Sequence, residues 1–347
     1  MKAVIKPDEE PRSLMIGDVE NPGIGLNDVL IRVKAGSICG SDLSVYLMKT
    51  GFKGYAKVPL VMGHEVSGII EEVGENVKNL SRGDRVISES LIYCGECFYC
   101  RSSMTNICLN FKVLGVHRNG GFAEYLAVNS RHIHKVPDEI SIHEAALLEP
   151  TAVSVHAVID RARIKPEDFV VVTGPGPIGL ISAQIAKAIG ANVIVTGPET
   201  STGRLEIARS LGLEAVNVDE ENPVERVLKE TGGIGADVVI ECSGSVKAAS
   251  EAYDMLKKNG QLVVVAIFPE LGQVNYTQIV RREVRIKGSF CHKWIDYEVG
   301  INLVKSGKVR LKPIITHQFP IDEAKKAFET ALIRNPNVRI GKVQILI

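Results

Sequence analysis

The sequence has no excess of charge of either sign: 41 Lys and Arg are balanced by 41 Asp and Glu over 347 residues. That balance leaves no electrostatic footprint for nucleic acid or an anionic membrane surface. No apolar run reaches bilayer-spanning length, and residues 1–7 lack the apolar core of a secretory signal. There are no internal repeats and no low-complexity tract, which excludes solenoids and disordered linkers. The cysteines number seven, and a framework built only of disulfides would leave one unpaired. What remains is ordinary globular composition, 45% hydrophobic and 24% charged, in a chain long enough for two domains. The expectation is a cytoplasmic protein that uses its thiols for something other than cross-links.

Four of those thiols lie close together. Cys94, Cys97, Cys100 and Cys108 form C-x2-C-x2-C-x7-C, the spacing of a closed, all-sulfur zinc site. A four-cysteine iron–sulfur cluster is the alternative. Zinc is favoured because the chain carries a second, different set of metal donors.

The texture of the chain changes twice. Up to about residue 150, short β-branched runs (Val29–Val33, Val66–Val73, Arg85–Ser88) are separated by turn residues, which predicts a mostly β domain. From Thr151 to Val284, apolar runs at Phe169–Thr173, Val193–Thr196, Asp237–Glu241 and Gln261–Ala266 alternate with helical stretches. That order predicts an α/β domain with a doubly wound parallel sheet buried on both faces. After Gly288 the texture is mixed again and ends in a strand-like Lys342–Ile347. The division is therefore residues 1–153 with 289–347 as one domain, holding a cysteine lobe at about 90–110, and 154–288 as the other. The charged segment Pro223–Glu230 reads as a solvated helix face.

Within the second domain, Gly174-Pro175-Gly176-Pro177-Ile178-Gly179 follows a strand and opens a helix predicted over Leu180–Gly190. Strand, turn and helix together are the context that makes G-x-G-x-x-G a dinucleotide fingerprint. Gly174 permits the turn, Gly176 lets amides approach a pyrophosphate, and Gly179 allows close helix–strand packing. At the end of the next strand, where an acid would hold the adenosine ribose of NAD, stands Gly197. Ser201, Thr202 and Arg204 follow and suit a 2′-phosphate, while Glu199 offers a carboxylate to ribose hydroxyls. The cofactor is NAD or NADP, with the balance toward NADP.

The second donor set is Cys39-Gly-Ser41-Asp42, Gly63-His64-Glu65 and Glu149-Pro150. With Gly120-Gly-Phe-Ala-Glu-Tyr125, the cysteine lobe and the glycine fingerprint, these motifs resemble zinc-dependent medium-chain dehydrogenases, most of all the sorbitol (L-iditol) dehydrogenase branch. The resemblance runs over nearly the whole chain. It implies a GroES-like catalytic domain joined to a Rossmann domain, two Zn2+ per chain, and a homo-oligomer, dimer or tetramer, with a sheet-edge interface near Asn259–Phe268 and Ile286. It implies Cys39, His64 and Glu149 as ligands of the catalytic zinc, Glu65 as a carboxylate close to the metal, Asp42 as the residue orienting His64, and Ser41 as the first proton acceptor. One soft and two harder ligands leave a coordination position open for a substrate oxygen, so a secondary alcohol, a polyol or sugar alcohol, would be oxidised to a ketone by NAD(P)+.

The chain departs from that pattern in two places. Many relatives carry a His where Ser44 stands, which leaves the proton path beyond Ser41 to water or the cofactor ribose. Polyol enzymes of this kind commonly place an Arg and a Tyr in the stretch that here reads Gly288-Ser-Phe-Cys-His-Lys-Trp294. Threonine 3-dehydrogenase is the alternative within the class, and a non-catalytic dinucleotide-binding relative the alternative outside it. His132, His134, His143 and His156 lack metal-binding company in sequence. Cys242 and Cys291, the latter beside His292, read as non-ligands.

Overall fold

The structure is a computed structural model that describes residues 1–347. Two sheets organise it. In the first, the strand Asp28–Ser37 pairs antiparallel with Glu65–Val73 along one edge. Its other edge is shared between Tyr125–Asn129 and the last strand of the chain, Lys342–Leu346. The C-terminus therefore closes a sheet begun near the N-terminus. Alternation along Asp28–Ser37 buries Val29, Ile31 and Val33 while Arg32 stays at the surface, the period-2 pattern of a strand packed on one face.

The second sheet has six strands, all parallel, in the order Glu214–Asn217, Asn192–Gly197, Phe169–Thr173, Ala236–Glu241, Leu256–Val264, Arg285–Gly288. The order reverses between Phe169–Thr173 and Ala236–Glu241. Val170, Val171 and Val172 are fully buried, as expected for a strand covered on both sides. The helix expected from Leu180 begins three residues earlier, at Pro177, because proline suits the first helical turn. It ends before Gly190, whose φ of 109° supplies the left-handed C-terminal cap. The strand expected at Gln261 starts earlier as well, at Leu256. Pro223–Glu230 is helical and buries only Pro223 and Val227.

The helix Leu148–Val155 runs directly into a π-helical segment, His156–Ala162, so the division near residue 153 falls inside continuous helix. The largest core cluster contains 32 buried residues and spans it, joining Ile87, Val136 and Ile140 to Val170, Ile185 and Leu213. That shared core packs elements of both sheets against Leu148–Val155. No helix is long and apolar enough to cross a membrane.

Candidate active site and metal centres

The cysteine lobe shows its geometry without ambiguity. The four Sγ atoms lie within 4.8 Å of one another, with Cys94–Cys108 at 3.4 Å, Cys97–Cys100 at 3.5 Å, and Cys94–Cys100 and Cys97–Cys108 at 3.9 Å. A disulfide needs sulfurs about 2.05 Å apart, and all seven cysteines are free. Four thiolates about 2.3 Å from one tetrahedral ion stand roughly 3.8 Å apart, which matches. An iron–sulfur cluster spreads its thiolates over several irons and needs wider spacing. Backbone amides prepare the sulfurs: Cys94 and Asn110 N–H groups donate to Cys108 Sγ. Amides of Glu96 and Cys97 lower the Cys94 thiol to about 6, whereas burial lifts Cys100 to about 12. Such crowded sulfurs cannot all ionise unless a cation neutralises them, and a single Zn2+ fits.

The second centre is assembled from distant parts of the chain. Cys39 precedes the helix Gly40–Tyr46, and Asp42 caps that helix by accepting the Cys39 N–H at 2.8 Å. The other oxygen of Asp42 lies 3.4 Å from His64 Nδ1, while His64 Nε2 faces Ser41 Oγ at 3.3 Å. Glu65 is the first residue of the strand Glu65–Val73 and is fully buried. Strand alternation turns it to the face opposite Val66. The donor atoms of Cys39, His64 and Glu65 lie within 4.8 Å of one another.

Burial raises the Cys39 thiol, but His64 and Lys342 draw it down to about 7. Burial opposes charge on His64 as well, yet Asp42 and Cys39 raise its pKa well above the ordinary range. Glu65 is pushed up by burial, even though Lys342 Nζ donates to its Oε1 at 2.5 Å. Asp42 Oδ1, His64 Nδ1 and Glu65 Oε2 are buried without hydrogen-bond partners. Orphaned donors and acceptors of this kind, two acids, a histidine and a thiol beside one lysine, fit a divalent cation.

Glu149 lies outside this group of donors. Its Oε1 accepts from Ser90 Oγ at 2.7 Å and stands 3.6 Å from His292 Nε2. Burial would raise its carboxyl, but His292, His64 and Ser90 hold it at about 2, so it is ionised. Ser44 donates to Gly40 O at 3.0 Å and does not extend a path from Ser41.

Lys342, Ser90 and His292 were not legible as site residues. Lys342 shows one signal, a lysine opening a mostly apolar terminal strand. His292 lies in the stretch where an Arg and a Tyr were expected, and Tyr297, three residues beyond that stretch, places its OH 3.2 Å from His292 Nε2.

At the crevice where the parallel sheet reverses, the glycine fingerprint is sterically explicit. A Cβ on Gly179 would lie 2.0 Å from Gly174 O, one on Gly174 would lie 2.8 Å from Ser243, and one on Gly176 would meet nothing within 4 Å. That open space beside the helix N-terminus is a cradle for a pyrophosphate. Pro177 and Ile178 open that helix. The buried Glu241 ties down the opposite wall by accepting the Ser243 and Gly244 amides at 2.8 and 3.1 Å. Gly197 has a packing reason to be glycine, because a Cβ there would lie 2.7 Å from the Pro175 ring. The Glu199 amide donates to Asp219 at 2.7 Å. Arg204 Nε donates to Ile340 O at 2.7 Å, and burial beside Arg334 lowers its pKa to about 10. Thr200, Ser201, Arg204, Arg334 and Asn335 line one small pocket, and no carboxylate pairs with either arginine.

Residues 25–138 match the alcohol dehydrogenase GroES-like domain family and residues 177–306 the zinc-binding dehydrogenase family. The chain is 39% identical to a sorbitol dehydrogenase of Halalkalibacterium halodurans over 334 residues, 94% of this chain and 95% of that one. It is 36% identical to a D-arabitol-phosphate dehydrogenase of Enterococcus avium over 341 residues, 96% and 95% of the two chains. Among solved structures, a zinc-binding dehydrogenase of Sinorhizobium meliloti bound to NADP superposes with a TM-score of 0.90 at 29% identity, covering 100% of this chain and 99% of that one.

Proposed function

We propose that this chain, which belongs to the zinc-dependent medium-chain dehydrogenase family, oxidises a secondary alcohol of the polyol or sugar-alcohol class to a ketone. It is a zinc-dependent NAD(P)-linked dehydrogenase, and the observation that carries the site assignment is the convergence of Cys39, His64 and Glu65 donors within 4.8 Å. These three residues would hold the catalytic zinc in the conformation described, with Glu149 joining as a ligand by turning away from Ser90 and His292. When bound, the zinc supplies Lewis acidity that makes an alcohol easier to ionise, and the nicotinamide accepts the hydride. Asp42 fixes the ring of His64 and compensates its charge. Lys342 shares Glu65, which limits how much anionic charge that carboxylate brings to the centre. Ser41 Oγ accepts the alcohol proton, and water or the cofactor ribose carries it onward, since Ser44 points to Gly40.

Cys94, Cys97, Cys100 and Cys108 would hold a structural zinc with no open position. Residues 1–153 and 289–347 form the catalytic unit and 154–288 the dinucleotide-binding unit. Gly174, Gly176, Pro177, Ile178 and Gly179 cradle the pyrophosphate, and NADP+ is preferred over NAD+. Supporting that preference, Gly197 offers no acid, and the two unpaired arginines with Thr200 and Ser201 suit a 2′-phosphate. Glu199 would accept from the adenosine ribose. Exposed Ile267, Leu271, Tyr276 and Val280, beside the edge strand Arg285–Gly288, support a homo-oligomer, dimer or tetramer, and seven free thiols support a cytoplasmic location.

The test is a panel of sugar alcohols, simple secondary alcohols and L-threonine, each with NAD+ and NADP+, followed by formation of reduced nicotinamide. Turnover of a polyol with NADP+ is expected. Preferential oxidation of threonine would transfer the chain to that branch, and no turnover at all would make it a non-catalytic relative.

A further inference from the structure

Read from sequence, Cys291 and His292 have no metal role, but the fold brings Glu149 to them. The donor atoms of Glu149, Cys291 and His292 lie within 4.8 Å of one another. They form a sulfur, nitrogen and oxygen set like that of Cys39, His64 and Glu65, and it draws on Glu149, the carboxylate assigned above as a joining ligand of the catalytic zinc. Hydrogen bonding fixes how His292 is presented. Glu149 can only accept, so Ser90 spends its single hydroxyl proton on Glu149 Oε1 at 2.7 Å. The contact between Ser90 Oγ and His292 Nε2 at 2.8 Å then requires His292 to donate from Nε2. Glu149 Oε1 stands 3.6 Å from that same Nε2, so an ion held between them takes Nε2 in place of the Ser90 contact, in a side chain only 1% exposed. Cys291 adopts φ 55°, a left-handed conformation that a non-glycine residue seldom takes.

We propose that Glu149, Cys291 and His292 form a second metal position beside the Cys39–His64–Glu65 centre, taking a borderline or thiophilic divalent cation such as Zn2+, Co2+ or Cd2+ when that cation is in excess. The donor chemistry selects such ions over Mg2+ or Ca2+. Separations of up to 4.8 Å exceed the roughly 3.5 Å edge of a mixed-donor tetrahedron, so the side chains must close on the ion. Binding there is accordingly weaker than at the cysteine lobe. Occupation engages Glu149 and places new positive charge next to the first centre, and excess metal therefore inhibits. The position does not depend on the substrate assigned above.

The experiment uses the enzyme as purified, dialysed against graded Co2+. Total bound metal is counted by mass spectrometry, and thiolate-to-cobalt charge-transfer absorption is recorded. The wild type is expected to take up one metal equivalent beyond the two already bound, with that absorption. Cys291→Ser should remove the absorption of the added equivalent, and both Cys291→Ser and His292→Asn should weaken its binding on the order of 100-fold while the lobe zinc stays in place. A wild type that binds no further equivalent overturns the proposal, as does an equivalent that both variants bind unchanged. Cys39→Ser removes a different equivalent, so failure of the catalytic-site assignment is seen separately.

Discussion

The cysteine lobe and the Cys39–His64–Glu65 cluster are candidate metal sites of opposite construction. The lobe takes four identical ligands from one short segment, arranged by local backbone amides with sulfurs 3.4 to 3.9 Å apart. The other centre takes three kinds of atom from residues 39, 64 and 65 and is buttressed by Asp42 and Glu149 from two helices and Lys342 from the last strand. The first closes around its ion and has nothing left to offer a substrate. The second, as proposed, would keep a position open among buried charged groups. On that assignment, stability belongs to the local site and chemistry to the dispersed one.

Removing one ligand from each is the sharpest way to break that comparison. Cys39→Ser should lower kcat/KM by about a thousandfold, equivalent to about 4 kcal/mol of lost electrostatic stabilisation, with little change in thermal midpoint. Steady-state kinetics and a melting curve on the same preparation check it. Cys97→Ser should do the reverse: a loss of about 3 kcal/mol of stability, read in urea, while molecules that remain folded keep near-normal turnover. Equal effects of the two variants on turnover would erase the distinction.

Glu89, immediately before Ser90 in the chain, provides a smaller test. Burial would raise its carboxyl, but His132 and His134 bring it down to about 2 from an ordinary 4.5. Because the folded value is the lower one, its stabilisation is present above pH 4.5 and is lost as pH falls toward 2. That contribution is at most about 3 kcal/mol. His134 works in the other direction: burial lowers its pKa, but Glu298 and Glu89 raise it above 6.5, so its contribution is present below pH 6.5 and fades above. Glu89→Gln should therefore flatten the acid limb of the stability profile between pH 4.5 and 2, measured by urea unfolding at each pH. A profile that keeps its acid limb would contradict this. The smallest expected effect is at the cofactor: Arg204→Ala should raise the KM for NADP+ about tenfold, equivalent to about 1.4 kcal/mol, and leave that for NAD+ unchanged.

The same contrast explains what could be read from sequence. The cysteine lobe is legible because its ligands are neighbours in the chain. The parallel sheet is legible because continuous Val/Ile runs report burial on both faces. The dinucleotide turn is legible because Gly174, Gly176 and Gly179 each meet a separate steric demand. Lys342 was invisible because its partner Glu65 is 277 residues away in sequence, and only the closing of the first sheet by the last strand joins them. The link from Ser90 to Glu149 and His292 was hidden for the same reason, since three elements far apart in sequence must pack before it exists. Gly197 was legible as a missing acid but not as a packing requirement, because the Pro175 ring covers it only in the folded turn. The division near residue 153 follows a change of composition, whereas the helix there continues through it because both sheets share one core.

The most direct measurement is the zinc content of the wild type, Cys39→Ser and Cys97→Ser, taken alongside activity during slow removal of metal by a chelator. Two zinc ions per chain are predicted in the wild type, with activity lost in step with the first to leave. Cys39→Ser should hold only the lobe zinc, and Cys97→Ser should retain the ion that supports turnover. A Cys39→Ser protein that keeps two zinc ions and full activity, or a wild type whose activity survives until the last zinc has gone, would contradict the division of labour between the two centres.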